Sequence, residues 1–348
     1  MKRVALLGAT GSIGRQAIEI VEAHPELELC AVASGSTPLD DVDAPLKQVG
    51  GDVVELLERA RPDVVLNAIV GFAGIHATLW AVENEVPLAL ANKESLVAGG
   101  ELVGGRGTII PVDSEHSALY QCLEGRAPEQ VHTLVVTGSG GPFRGRTRDE
   151  LRDVTPEQAL AHPTWRMGPK ITVDSATLAN KGLEVIEAHF LFGIPYDRIE
   201  VAIQPTSIVH SLVRFRDGAT LAHLGYPDMR VPISYALTYP ERAATPLAPL
   251  DLTELTLEFR APDTETFPML ALAREAGERA GTAPCAYNAA NEVAVAAFLD
   301  GRLPFLAIPE VVGETLAAVD GAPARDLDDL LEADREAREL AERSLAAV

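Results

Sequence analysis

Two short segments of this chain hold residue types suited to a hard cation lying beside an anion. They are Pro111-Val112-Asp113-Ser114-Glu115-His116 and Asp174-Ser175-Ala176-Thr177-Leu178-Ala179-Asn180-Lys181-Gly182-Leu183-Glu184. Carboxylate oxygens suit Mg²⁺ or Mn²⁺, while serine hydroxyls, an amide and an ammonium suit a phosphate. Residues two apart on a strand share a face, so Asp113 and Glu115 are predicted to converge on one ion. A helix capped by Asp174 or Ser175 and running to Phe192 would put Asn180, Lys181 and Glu184 on one face. Two carboxylates from a strand and one from a helix then make a three-oxygen site with open positions for water or substrate. An isolated D-x-E is more often a solvated loop edge, and it is the second segment that turns the reading toward a metal.

A nucleotide signal stands at the amino terminus. The apolar run 4–7 ends in Gly8-Ala9-Thr10-Gly11-Ser12-Ile13-Gly14 and leads into the amphipathic stretch 15–23. Strand, glycine turn and helix open a dinucleotide-binding unit, in which the glycines at 8, 11 and 14 let the backbone approach a pyrophosphate at the helix N-terminus. The next predicted strand, 29–33, is followed by Ser34-Gly35-Ser36-Thr37. Small hydroxylated residues there, in place of an acid for the ribose hydroxyls, favour NADP over NAD. Thr137-Gly138-Ser139-Gly140-Gly141-Pro142-Phe143 could cradle a phosphate through backbone N–H groups or be an ordinary turn. His162-Pro163-Thr164-Trp165-Arg166-Met167-Gly168-Pro169 reads as a lid or as a surface loop with a packed tryptophan.

Composition narrows the function classes. A chain of 348 residues with net charge −22 has no basic stripe to neutralise a nucleic acid backbone, so an anionic substrate would need local cations. Only five of its 29 basic residues are lysines, and Lys93 and Lys181 fall inside polar motifs, where a compact ammonium suits a phosphate or substrate oxygen. Cys30, Cys122 and Cys285 are odd in number and far apart, as expected of reduced thiols in a cytoplasmic protein. The longest apolar stretch, 64–82, is broken by Asn67, Gly71, Gly74 and His76, so neither a membrane span nor a signal peptide is expected.

Further strands are predicted at 64–69 and 87–91, with helices between them, giving an α/β alternation and a parallel sheet. Strands at 131–137, 170–173, 199–203, 207–215 and 220–224 suggest a mixed α/β unit, with Arg216-Asp217-Gly218 as a hairpin turn. The proline-rich stretch 240–262 reads as an extended connection. Helical periodicity follows at 269–280, 289–300, 308–318 and 326–346. The expected architecture is therefore α/β. A Rossmann-like parallel-sheet domain spans 1–112, a mixed α/β catalytic domain 113–240, a linker 241–265 and a helical C-terminal domain 266–348. His24, His76, His132, His189 and His223 have no metal-ligand spacing and are expected to be structural.

The motifs above, with Ala68-Ile69-Val70-Gly71, Ala91-Asn92-Lys93-Glu94-Ser95 and Asn288-Ala289-Ala290-Asn291-Glu292, resemble the 1-deoxy-D-xylulose 5-phosphate reductoisomerase family almost from end to end. The resemblance implies that Asp113, Glu115 and Glu184 hold Mg²⁺ or Mn²⁺, with Co²⁺ a third candidate. It implies that Ser139, Ser175, Asn180 and Lys181 bind the substrate phosphate, that Lys93, Ser114 and His162 meet substrate, and that Trp165 rides on a mobile lid. It assigns Thr10, Gly11, Ser12, Ile13, Gly35, Ser36, Thr37, Asn92, Glu94 and Gly168 to NADPH, alongside Gly8. It also implies a homodimer, a phosphorylated small-molecule substrate and the conversion of 1-deoxy-D-xylulose 5-phosphate to 2-C-methyl-D-erythritol 4-phosphate in the MEP pathway to isoprenoid precursors.

Two departures from that family's pattern concern the cofactor. Residues 36–63 cover a stretch in which family members usually carry about one more βα unit, and Gly35-Ser36 stands where many have Gly-Lys or an arginine. NADPH is predicted over NADH all the same. Two rival readings remain at this level. One is a semialdehyde dehydrogenase, which shares the Gly-Ala-Thr-Gly opening but needs an activated cysteine. The other is a nucleotide-sensing protein that keeps the fold without the chemistry.

Overall fold

The computed structural model describes residues 1–346; the last two residues of the expected C-terminal domain lie outside the described residues. The first six strands are β1 (Lys2–Leu7), β2 (Leu27–Ser34), β3 (Leu46–Val49), β4 (Val64–Asn67), β5 (Leu88–Leu90) and β6 (Ile109–Pro111). They form one sheet in the order β3-β2-β1-β4-β5-β6, with every pairing parallel. Helices α1 (Ser12–Ala23), α2 (Val53–Ala60), α3 (Ile75–Glu83) and α4 (Lys93–Gly99) belong to the connections between them. The central strands read as unbroken apolar runs because both of their faces are covered; Val4 to Leu7 and Val64 to Leu66 are almost wholly buried. Strand order reverses between β1 and β4, and a doubly wound sheet opens a ligand crevice at the carboxyl ends of such strands. Between β2 and β4 the chain retains only β3 and α2.

A second sheet has the order β10-β9-β7-β8 and consists of β7 (Val131–Gly138), β8 (Ile199–Ile203), β9 (Val209–Phe215) and β10 (Thr220–Leu224). β7 and β8 are parallel, while β9 runs antiparallel to β7 and to β10. Around it lie α5 (Ser114–Leu123), α6 (Pro156–Leu160), α7 (Pro169–Thr177) and α8 (Ala179–Phe192), while α9 (Arg230–Thr238) packs back on the first sheet, its Ile233, Ala236 and Leu237 sharing a core with Val4, Leu6 and Ile110. Two expectations fail here. The stretch 170–173 is helix, not strand: Gly168 and Pro169 open α7, because proline is pre-organised for the first helical position, and this overrides the β preference of Ile171-Thr172-Val173. The single helix expected from 174 to 192 is also two, broken at Leu178, whose backbone is left-handed with φ of 63° while its side chain is buried.

The stretch 241–265 is extended and largely exposed, touching the second sheet through an antiparallel bridge between Ile203 and Arg260. Four helices follow: α10 (Met269–Arg279), α11 (Ala283–Leu299), α12 (Ile308–Ala318) and α13 (Leu327–Leu345). α11 is alanine-rich and buried nearly all round, so it forms the axis on which the others pack. The C-terminal helices reach the first sheet as well, since Cys285 and Leu330 share a core cluster with Leu7, Leu57 and Leu90. Among the described residues no helix is long and apolar enough to cross a membrane.

Candidate active site

The expected carboxylates meet, but by a different local route. Asp113 and Glu115 are not on a strand: Asp113 is the N-cap of α5 and accepts from the backbone N–H groups of Glu115 and His116. Glu115 lies in the first turn, and Ser114 Oγ donates to its Oε2 at 2.6 Å. Glu184 rises from α8, and one ligand oxygen from each of Asp113, Glu115 and Glu184 lies within 4.8 Å of the others. Ligand sets made of oxygen alone select hard divalent cations.

Two ammonium groups lie between these acids. Lys93 Nζ contacts Asp113, Asn180 Oδ1 at 3.1 Å and Glu184 Oε1 at 3.1 Å. Lys181 Nζ contacts Glu115 Oε1 at 3.0 Å, the Thr137 carbonyl at 2.8 Å and Glu184. Burial works against charge on both lysines, yet the facing carboxylates outweigh it and hold both ammoniums above their usual range. For Asp113 burial is likewise outweighed, by Lys93 and His116, and its carboxyl is held well below the usual range. Glu184 has no solvent exposure, and there burial dominates, pushing it up to about 7 despite Lys181 and Lys93.

Behind the acids, His116 clasps the two helices. Its Nε2 lies 2.8 Å from the Glu184 carbonyl, and its Nδ1 lies 2.9 Å from Asp113 Oδ1 and 3.3 Å from Glu187 Oε2. Both nitrogens face acceptors only, so the ring is an imidazolium. Burial opposes that charge, but Glu187 and Asp113 prevail and raise the group to about 9. Neither His116 nor Glu187 was singled out as functional in the sequence; the spacing of Glu187 one turn beyond Glu184 was the available signal.

The glycine-rich loop after β7 owes its composition to close approach. A Cβ on Gly138 would fall 2.8 Å from Lys181 Cδ, and one on Gly141 would fall 2.6 Å from the Ser175 carbonyl, at a φ of 71°. Ser139 is thereby brought to His162, whose Nε2 lies 3.0 Å from Ser139 Oγ. His162 Nδ1 accepts from the N–H groups of Thr164 and Trp165, so the ring is neutral and Nε2 carries the proton. Burial first, then Lys181 and Arg144, lower this imidazole to about 4. Trp165 stacks obliquely toward His210, with ring centroids 6.2 Å apart.

One cavity of about 150 Å³ is lined by Lys93, Asp113, Ser114, Glu115, Ser139, His162, Trp165, Gly168, Ser175, Asn180 and Lys181, with Glu184 buried beneath it. Ser12 and Ile13, at the start of α1, line the same cavity. A second cavity, of about 650 Å³, lies over the strand crossover and is lined by Gly8, Thr10, Gly11, Gly35, Gly50, Gly51, Asp52 and Val70, among others. The turn at its floor leaves no room for side chains: a Cβ on Gly8 would fall 2.4 Å from the Ala68 carbonyl, and one on Gly14 would fall 2.3 Å from the Gly8 carbonyl. No side chain caps α1, so its first N–H groups remain available to a pyrophosphate. The cradle fits a dinucleotide.

Not every expected cofactor residue reaches that cavity. Ser36 and Thr37 are exposed beside it, and Ser34 Oγ donates to the Thr37 carbonyl at 2.5 Å. Asn92 and Glu94 are turned inward. Asn92 Nδ2 donates to the Gly71 carbonyl at 2.8 Å, and Glu94 accepts from Lys170 at 3.0 Å. Sequence reasoning missed Lys170 because it was read into a strand. Cys30, Cys122 and Cys285 are buried free thiols, each raised chiefly by burial, which removes the activated nucleophile a semialdehyde dehydrogenase requires.

Comparison with known proteins agrees with this geometry. The family model for 1-deoxy-D-xylulose 5-phosphate reductoisomerase matches residues 4–49 and 45–100 in two segments, which meet at β3 within the short stretch 36–63. The model for its C-terminal domain matches 109–192, and a DXP reductoisomerase C-terminal domain model matches 224–340. The 1-deoxy-D-xylulose 5-phosphate reductoisomerase of Mycobacterium avium (strain 104) is 49% identical, covering 99% of this chain and 93% of its own length. That of Mycobacterium tuberculosis (strain H37Rv) is 48% identical, with 99% and 91% covered. The Zymomonas mobilis enzyme in complex with NADPH superposes with a TM-score of 0.90 at 38% identity, covering all of both chains. A DOX-P reductoisomerase in complex with NADPH, fosmidomycin and magnesium gives 0.90 at 36% identity, covering 99% of this chain and 98% of that one. On these grounds the chain belongs to the 1-deoxy-D-xylulose 5-phosphate reductoisomerase family.

Proposed function

We propose that this protein converts 1-deoxy-D-xylulose 5-phosphate to 2-C-methyl-D-erythritol 4-phosphate, using NADPH and a divalent cation. The single observation that carries the reading is the convergence of Asp113, Glu115 and Glu184 within 4.8 Å, beside a cavity shared with the start of the dinucleotide helix. When bound at these residues, Mg²⁺ or Mn²⁺, or Co²⁺ in their stead, supplies a Lewis acid to the substrate's carbonyl and neighbouring hydroxyl, and NADPH supplies the hydride.

The chain's own residues do the rest. Ser139, Ser175, Asn180 and Lys181 hold the phosphate away from the reacting carbons, so its binding energy goes into orientation. Lys93 and Ser114 position the polyol end beside the carboxylates. His162, neutral and donating from Nε2, and Trp165, which lines the same cavity, exclude water while one carbon–carbon bond of the substrate breaks and another forms. Gly8, Thr10, Gly11 and Gly35 line the dinucleotide crevice, and Ser12, Ile13 and Gly168 stand where it opens onto the substrate.

The same reading extends to organisation. Residues 1–112 form the NADPH-binding domain, 113–240 the catalytic domain, 241–265 a linker and 266–348 the helical C-terminal domain. The protein acts as a cytoplasmic homodimer; exposed Leu221 on the edge strand β10, with exposed Leu252, Leu257 and Phe259 in the linker, supports a second copy as partner. The test is NADPH oxidation on adding 1-deoxy-D-xylulose 5-phosphate, with and without Mg²⁺ or Mn²⁺. Metal-dependent oxidation is expected, and folded protein that oxidises no NADPH under any metal condition would refute the assignment.

A further inference from the structure

Three consecutive residues at the start of α4 reach three different parts of the molecule. Asn92 Nδ2 donates to the Gly71 carbonyl at 2.8 Å, in the turn whose neighbours Val70 and Ala73 line the dinucleotide cavity. Lys93 lies among the clustered carboxylates. Glu94 Oε1 accepts from Lys170 Nζ at 3.0 Å, and its Oε2 accepts from Asn92 Nδ2 at 3.2 Å. One turn of helix therefore joins the cofactor cavity, the acid cluster and Lys170.

Lys170 is the second residue of α7, two positions beyond the end of the loop 162–168 that lines the substrate cavity. Thr172 Oγ1 donates to the Gly168 carbonyl at 2.7 Å and so fixes the root of that loop to the first turn of α7, and the Lys170 side chain ties that turn to Glu94. Its ammonium also donates to Asp174 Oδ2 at 2.8 Å, and Asp174 Oδ1 accepts from Asn291 Nδ2 on α11 at 2.7 Å. On the opposite side, Glu292 of α11 accepts from the Phe72 N–H at 3.1 Å and pairs with Arg338 of α13. A Cβ on Gly71 would fall 2.7 Å from Glu292 Oε1, so the turn lies directly on that carboxylate. Both ends of the chain Gly71, Asn92, Glu94, Lys170, Asp174, Asn291 thus rest on the same buried helix. With Lys170, Glu94 and Asp174 side chains 17%, 13% and 1% exposed, solvent screens the middle links only weakly.

We propose that Lys170 is a positioning residue that couples the lid to the dinucleotide cavity. A dinucleotide packed against the Gly71 turn holds Asn92 and Glu94 in register, and Glu94, through the Lys170 ammonium, holds the root of the lid in its packed arrangement. The inference rests on the reading that the cavity takes NADPH, and the experiment separates the two.

Arg166 is exposed in the lid, so tryptic cleavage after it, followed by mass spectrometry, reports lid opening. NADPH affinity is measured alongside by fluorescence titration, and folding by thermal melting. In the wild type, saturating NADPH should slow cleavage at Arg166 by about fivefold or more, the lower bound of typical coupling between sites. In Lys170→Gln the protection should fall below about twofold while NADPH affinity changes less than about threefold, and Lys170→Arg should restore most of the protection by keeping the charge. Wild-type protein that binds NADPH yet is cleaved at an unchanged rate overturns the coupling without any variant. Protection in Lys170→Gln equal to wild type overturns the role of Lys170. Wild-type protein that does not bind NADPH overturns the reading of the cavity, and the coupling with it.

Discussion

Gly138→Ala is a one-methyl test of how tightly the anion site is set. Gly138 is the last residue of β7, paired with Ile203 across the sheet, and its carbonyl accepts from the Gln204 N–H at 2.7 Å, so the backbone cannot step aside. The new methyl would fall 2.8 Å from Lys181 Cδ and 2.9 Å from Cε. Carbon atoms rest at about 3.5 Å or more, so the lysine chain must retreat by roughly 0.7 Å. Lys181 is almost fully buried, and its ammonium is held by Glu115, Glu184 and the Thr137 carbonyl, so the retreat breaks or stretches those contacts. Displacements of about 1 Å at a reacting centre cost on the order of a hundredfold in rate. We therefore expect kcat/KM for 1-deoxy-D-xylulose 5-phosphate to fall roughly 30- to 100-fold, with NADPH affinity unchanged because the dinucleotide crevice is lined from the other sheet. Steady-state kinetics with both substrates varied, together with a melting curve, reads this directly. Turnover within about twofold of wild type in a folded Gly138→Ala protein would show that Lys181 is not placed by this contact, and the packing argument would fail.

Two further outcomes follow from burial. His223 is held uncharged, lowered to about 4 chiefly by burial and then by His210 and Arg242. An unfolded chain takes up that proton near pH 6.5, so the stability His223 confers is complete above that value and lost as pH falls toward 4. His223→Gln should then gain on wild type by up to about 3 kcal/mol in urea melts across that window, and parallel curves would refute the account. Replacing Cys30, Cys122 and Cys285 together by alanine should leave kcat/KM within about threefold of wild type, because none contacts either cavity. A dead but folded variant would reopen the reading of a cysteine nucleophile.

The parts of the fold that local chemistry determines were legible in the sequence. The glycine turn of β1 and α1 and the helices α10, α12 and α13 lie where periodicity puts them, because there propensity and packing agree, whereas α11, expected from 289, starts at Ala283, its first two turns being buried all round and carrying no apolar–polar alternation. The acid cluster was legible in its members but not in its geometry. The strand Ile109–Pro111 leads into the acids, and the expectation carries it on through Glu115, although Asp113 before Ser114-Glu115 is itself an N-cap signature. The left-handed turn at Leu178 had no signal at all, since a leucine there is tolerated only because tertiary packing buries its side chain. β3 was missed because four residues of edge strand, half of them exposed, carry little pattern. Lys170 was lost with the strand it was assigned to, and with it the link between lid and cofactor turn.

Charge explains how an acidic protein can take an anionic substrate. By formal charge, three carboxyl groups, Asp113, Glu115 and Glu184, set against two ammoniums, Lys93 and Lys181, give the acid cluster one negative charge in a chain of net −22. His116 and Glu187 add nothing to that sum, because they neutralise each other behind it. A divalent cation alone would leave the cluster one charge positive, and a phosphate dianion alone would leave it three negative; together they return it to where it began. Each ligand therefore relieves the electrostatic cost of the other in a site where water screens little. The two lysines make this arrangement possible, because in the protein alone they lie between the carboxylates of two buried acids and one half-buried acid and offset their mutual repulsion. Asp113 and Glu115 sit at the start of α5 and Glu184 in the second turn of α8, so without those ammoniums like charges would push the two helices away from the geometry that binding needs.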